Sequence, residues 1–184
     1  RSRGNANHSI PLVGPVEIKG LTPLIDPWLL GALLGDGCLR DTSVTLSTMD
    51  DWIVERVRAS LPDGLHLRLT KRGVCDYGIT ATGKQGGNGP HSNPLLNALR
   101  DYDILGKRSY EKRVHSSYLF NSVEVRLAVL RGLMDTDGSA SSGTTFTTTS
   151  RGLADDVVWL VRSLGGIASI VRNPTHYLKE GNRI

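Results

Sequence analysis

Two stretches of this 184-residue chain place an acidic residue and a glycine at the end of a glycine-bearing apolar run: Leu29-Leu30-Gly31-Ala32-Leu33-Leu34-Gly35-Asp36-Gly37 and Leu130-Arg131-Gly132-Leu133-Met134-Asp135-Thr136-Asp137-Gly138. In each, small residues recur four apart, Gly31 with Gly35 and Gly132 with Thr136. That spacing lets two helix backbones approach closely. Helices paired this way would bring Asp36 and Asp137 together at the negative ends of two helix dipoles, an arrangement that is unfavourable without a cation. A hard divalent ion such as Mg²⁺ would relieve the repulsion, take carboxylate and phosphate oxygens together, and support phosphodiester hydrolysis.

The elements that would position these residues follow from caps and periodicity. Asp26 with Pro27 starts a helix that runs through the first stretch. Ser122 starts a second helix, ended by Gly138 as its C-terminal cap. After the first helix the pattern predicts a strand over Ser43–Thr48, a helix over Met49–Leu61, a hairpin of Leu65–Lys71 and Cys75–Thr80, a glycine-rich loop over Gly83–Asn93 and a short helix over Pro94–Tyr102. After the second it predicts a strand over Thr144–Thr149, a helix over Leu153–Leu164 and a strand over Ile167–Arg172. The order helix, strand, helix, strand thus occurs twice, which indicates two copies of one supersecondary unit paired face to face. Residues 1–25, punctuated by Gly14, Pro15, Gly20 and Pro23, read as a linker or the tail of a preceding module, outside the core.

Composition narrows the class. With 39% hydrophobic residues the chain can build a core as one domain or two small, closely packed ones. The apolar run near Trp28 to Leu34 is too short to cross a bilayer, and the N-terminus lacks the pattern of a secretory signal, so a membrane partner is not expected and a cytoplasmic location is. Cys38 and Cys75 read as small, reduced packing residues. The five histidines lack ligand spacing, which argues against zinc. Asp135-Thr136-Asp137-Gly138 looks like the start of a calcium-binding loop, but the sixth and twelfth positions are Ala140 and Phe146 where glycine and glutamate are required. A net charge of +4 is compatible with a polyanionic partner.

On both signatures, and on Ser117–Asn121 with Arg126 ahead of the second, residues 26–184 resemble the LAGLIDADG homing endonuclease domain of an intein. The first signature departs from the family pattern at Ala32 and Leu34 but keeps Asp36. The resemblance implies an α/β fold of two pseudo-symmetric ββα repeats forming a saddle over double-stranded DNA: a first repeat with its connecting segment over 26–121 and a second over 122–184. It implies Asp36 and Asp137 as catalytic metal ligands for Mg²⁺ or Mn²⁺. It also implies a catalytic lysine before the second signature, a place held here by Lys112 in Lys112-Arg113-Val114-His115, acting as base, as charge stabiliser or as a phosphate contact. DNA contacts would come from the strands, with Arg68, Lys71 and Arg72 on the first hairpin and Arg172 in the second repeat.

By the same resemblance the chain would act as a monomer, with a host protein in cis. Pro11–Lys19 is similar to the stretch preceding the endonuclease in inteins of replicative DNA helicases. A counterpart of Lys112 in the second repeat would fall beyond Ile184, so that repeat reads as truncated and the fragment as weakly active, and none of the residues needed for protein splicing stands where splicing requires it. The alternative is a cleavage-inactive module of the same family that binds DNA as a regulator or RNA as an intron maturase.

Overall fold

In a computed structural model the chain is described at residues 10–40, 43–70, 73–81, 93–141, 143–173, 178–179 and 182–183. Helix α1 spans Pro27–Gly35; the Asp26 carboxylate accepts from the Leu29 amide at 2.9 Å, and Pro27 supplies a fixed φ where no intrahelical N–H bond is lost. Every residue from Trp28 to Leu34 is buried, as expected of a helix covered on all sides. One side meets helix α5 (Val123–Asp137), which is capped by Ser122, and another meets α2 (Asp51–Ser60), which is capped by Asp50 and buries Ile53, Val54 and Val57.

The chain leaves α1 directly into β1 (Gly37–Cys38), followed by β2 (Thr45–Ser47), α2, β3 (Leu65–Leu69) and β4 (Asp76–Ala81). These strands form one antiparallel sheet in the order β1-β2-β4-β3, with Leu67 opposite Ile79 and Arg68 opposite Gly78. Alternation along β3 turns Leu65 and Leu67 into the core and leaves His66 and Arg68 exposed. Helix α3 (Pro94–Asp101), a 3-10 turn at Ser109–Glu111 and the short α4 (Ser116–Leu119) then lead to α5. Beyond α5 come the paired β5 (Gly138–Ser139) and β6 (Thr145–Phe146), α6 (Arg151–Ser163), and a terminal pair, β7 (Leu178–Lys179) and β8 (Asn182–Arg183). The protein is therefore mixed α/β. No helix among the described residues is long and apolar enough to cross a membrane.

Two expectations differ from the structure, and a third falls mostly outside the described residues. Residues 167–172 form no strand: Ile167, Ile170 and Val171 have strand-like side chains, but they are exposed, and the Arg162 guanidinium takes the Ala168 carbonyl (2.8 and 3.2 Å) in place of a ladder partner. Cys38 is exposed on β1 rather than packed. The expected loop over Gly83–Asn93 lies, except for Asn93, outside the described residues; Asn93 itself caps α3.

The described part of the opening segment is mostly exposed, yet it is tied to the rest of the fold. Ile25 is buried, the Val16 amide bonds the Ser163 carbonyl at 2.9 Å, and Asn121 Nδ2 donates to Leu21 at 2.8 Å. Tyr118 Oη donates to the Ile25 carbonyl (2.9 Å) and accepts from its amide (3.1 Å). Arg126 fastens this segment. Its side chain is fully buried and donates to the carbonyls of Asn121 (2.9 Å), Ser163 (2.9 Å) and Val16, lying over the Trp159 ring. Arg126→Met would take the Arg126 donor from the Asn121 and Val16 carbonyls and leave Ser163 with the Val16 amide alone, and we expect a loss of about 3 kcal/mol in a denaturant melt, with faster proteolysis between residues 10 and 25.

Candidate functional site

Helices α1 and α5 run parallel and touch backbone to backbone. A Cβ on Gly31 would lie 2.2 Å from the Val129 carbonyl oxygen and 3.0 Å from the Leu133 nitrogen; a Cβ on Gly132 would lie 2.1 Å from the Trp28 oxygen and 2.7 Å from the Ala32 nitrogen. The contacts are reciprocal, each glycine meeting the residues three before and one after the other. One turn on, a Cβ on Gly35 would sit 2.0 Å from Thr136 Oγ1, whose hydroxyl turns back to the Gly132 and Leu133 carbonyls (3.0 and 3.2 Å). The Trp28 indole N–H donates to Asp135 at 2.7 Å, a second tie between the helices.

Parallel packing puts both C-termini on one side. Asp36 is the C-cap of α1 and Asp137 the last residue of α5, so both carboxylates stand at negative dipole ends. The glycine after each is required by space, since a Cβ would fall 2.3 Å from the Leu33 oxygen at Gly37 and 2.2 Å from the Met134 oxygen at Gly138. Each helix thereby passes straight into its strand, β1 or β5. Gly138 holds this place with an ordinary negative φ of −87°, not a left-handed cap.

The two carboxylates perturb one another. Burial, then the charge of Asp137 and the proton shared with it, raise Asp36 from 3.8 to about 6, with Lys112 opposing. Burial also raises Asp137, against the pull of Lys112 and of the hydrogen bond with Asp36. Below about pH 6 such a pair holds a proton that a cation would have to displace. Oxygen donors, part desolvated and charged, fit a hard divalent ion and are a poor set for a soft one. Among the described residues no third His, Cys, Asp or Glu joins them, so the rest of such a shell would come from phosphate, water or backbone.

Lys112 reaches the same end of α1. Its side chain is buried, and Nζ donates to Leu34 (2.9 Å), Gly35 (3.0 Å) and Gly37 (2.7 Å) carbonyls, with Leu33 at 3.4 Å. Those of Leu34 and Gly35 are among the carbonyls that a helix C-terminus leaves unpaired, and that of Gly37 follows in β1. Burial lowers the lysine's pKa, and the charges of Asp137, Cys38 and Asp36 oppose that. A seat of carbonyl acceptors favours the protonated ammonium, which has donors and no lone pair.

The structure thus gathers Asp36, Asp137 and Lys112 around the paired Gly31, Gly35, Gly132 and Thr136. Arg68 is exposed on β3, and Arg172 is exposed on coil rather than on a strand. Lys71 and Arg72 lie outside the described residues. Sequence reasoning missed Ser150, Arg113 and Asp156, which hold the backbone beside Lys112. Ser150 alone left a signal there: it stands three residues before Leu153, the spacing of an N-cap.

Residues 124–183, from α5 to β8, match the family described as LAGLIDADG-like domain. The chain is 28% identical over 161 residues to the replicative DNA helicase DnaB of Mycobacterium intracellulare, covering 86% of this chain and 22% of that protein. It is 25% identical over 197 residues to the homothallic switching endonuclease of Saccharomyces cerevisiae (91% and 33%), and 31% identical over 153 residues to the replicative DNA helicase DnaB of Synechocystis (74% and 17%). The chain spans a third or less of each of these curated relatives. With two Asp-Gly helices packed through small residues, and these likenesses, the chain belongs to the LAGLIDADG family of intein and homing endonuclease proteins.

Proposed function

We propose that this chain is the nuclease module of an intein, binding double-stranded DNA at a specific site and hydrolysing a phosphodiester in each strand. The observation that carries this reading is the pair Asp36 and Asp137, brought together at two parallel helix ends with Asp36 pushed to about 6. Both carboxylates would hold Mg²⁺ or Mn²⁺, which when bound supplies a Lewis acid for the scissile phosphate and lowers the pKa of the attacking water. Lys112 fixes the end of α1 and places a positive charge beside the carboxylates; its occupied N–H groups favour a charge role over that of a base.

Under this reading residues 26–121 and 122–184 are the two halves of a pseudo-symmetric saddle, and 1–25 is the tail of the adjoining splicing module. The reciprocal Gly31 and Gly132 contacts support the pseudo-twofold. Both motif helices lie in one chain, so a monomer suffices. Likeness to proteins named as helicases and to one named as an endonuclease, each over a minor part of its length, supports a mobile module carried in a host protein. Arg68 on the outward face of the sheet, with Lys71, Arg72 and Arg172, would meet the DNA backbone.

The test is cleavage of DNA carrying the uninterrupted host gene, with Mg²⁺, by the full-length parent and by its Asp137→Asn form. Specific cleavage by the parent, lost in the variant, is expected; cleavage that survives the substitution would overturn the assignment. Site-specific binding without cleavage would point instead to a regulatory or RNA-binding module.

A further inference from the structure

Lys112 is held at both ends. Its ammonium is seated on the C-terminus of α1, while its backbone is stitched to α6, an element of the second half of the chain. The Ser150 hydroxyl donates to the Lys112 carbonyl at 2.7 Å and accepts from the Leu153 amide at 3.1 Å as the N-cap of α6. Two residues on, Asp156 takes the Val114 amide at 2.9 Å and grips Arg113 through two bonds of 2.6 and 3.2 Å. Ser150 and Asp156 are 1% and 2% exposed. A Cβ at Gly152 would lie 2.8 Å from Arg113 Cδ, so the arginine stem lies flat on the first turn of α6.

An N-cap needs only an accepting oxygen. Ser150 in addition commits its proton to Lys112, and Asp156 commits an oxygen to the peptide two residues further. Residues 112–114 therefore form a strap fixed from α6, with the lysine side chain projecting from it to the carbonyls of Leu34, Gly35 and Gly37 that flank Asp36. We propose that Ser150 and Asp156 are positioning residues, which through the 112–114 strap set where the Lys112 ammonium, and with it the Asp36 end of α1, stands relative to Asp137. The inference rests on the reading of Asp36 and Asp137 as the metal-binding pair. It makes the geometry of the first half's carboxylate depend on a helix of the second half. Small displacements of such supports have large effects on ion binding and turnover.

The test compares the full chain with Ser150→Gly, Ser150→Thr and Asp137→Asn. Glycine is nearly as good an N-cap as serine or threonine, so Ser150→Gly keeps α6 while removing the bond to Lys112. We expect it to melt within a few degrees of the parent, to bind Mn²⁺ about tenfold more weakly by calorimetry or paramagnetic resonance, and to lower kcat with the KM for DNA unchanged. Ser150→Thr, which keeps both bonds, restores all three. If Ser150→Gly melts far below the parent, Asp156→Asn carries the same comparison, since it keeps an oxygen for the Val114 amide and loses the ion pair with Arg113. Parental Mn²⁺ affinity and kcat in a folded variant, while Asp137→Asn loses both, would overturn this inference alone. A parent that binds no Mn²⁺ would overturn the cleavage reading and this inference together.

Discussion

Asp36→Asn is expected to stabilise the metal-free protein while abolishing DNA cleavage. The asparagine keeps the size of the C-cap and removes one of two charges at adjoining helix ends. Asp36 titrates at about 6 where an ordinary aspartate titrates at 3.8, so the folded protein holds that proton more tightly than the unfolded chain does. Its contribution is therefore fully present below pH 3.8, declines as pH rises through the interval to about 6, and is gone above it. The whole displacement would be worth about 3 kcal/mol. Because the carboxylate is half open to water, screening leaves on the order of 1 kcal/mol. In melts the parent should lose about 2–4 °C relative to Asp36→Asn between pH 4 and 7, with the difference constant above that. Cleavage should fall by roughly 10³-fold or more, and Mg²⁺ affinity with it. In the parent, Mg²⁺ must displace the shared proton, so affinity should weaken below about pH 6 with one proton released per ion. Equal melting of parent and variant across this range would show that the two carboxylates do not share a proton.

Gly132→Ala should be among the most damaging single-methyl additions at the described glycines. Its Cβ would fall 2.1 Å from the Trp28 carbonyl oxygen and 2.7 Å from the Ala32 nitrogen, and both obstacles are backbone atoms of a helix buried on every side. No side chain can rotate away, so α1 and α5 must separate along the whole seam. Overpacking of this kind costs about 3 kcal/mol or more, or roughly 10 °C in melting temperature. Parting the helices also parts Asp36 from Asp137, so divalent-ion binding should weaken in whatever fraction stays folded. By contrast Gly78→Ala, with its nearest neighbour Thr70 Cγ2 at 3.5 Å, serves as a tolerated control. A melt of Gly132→Ala within a degree or two of the parent would mean that the close helix contact is not what holds the two segments together.

What the sequence determined by itself was whatever depends on neighbours in the chain. Asp26, Asp50, Asn93, Ser122 and Ser150 each sit three positions or fewer before the amide they cap, and the helices begin beside them. The four-residue recurrence of Gly31 with Gly35 and Gly132 with Thr136 marks one face of each helix, and the Asp-Gly ends mark where each stops. The mixed α/β class follows from those periods. Tertiary structure alone decided the rest. Whether Ile167–Arg172 becomes a strand depends on a partner edge, which side-chain propensity cannot supply. Lys112 meets carbonyls 75 to 79 positions away, Arg126 reaches Val16 across 110, and Asp156 holds Val114 across 42. In each case the distant group is a backbone carbonyl or amide. Such groups are the same at every residue, so no choice of amino acid at position 34, 16 or 114 announces the side chain that will bind there.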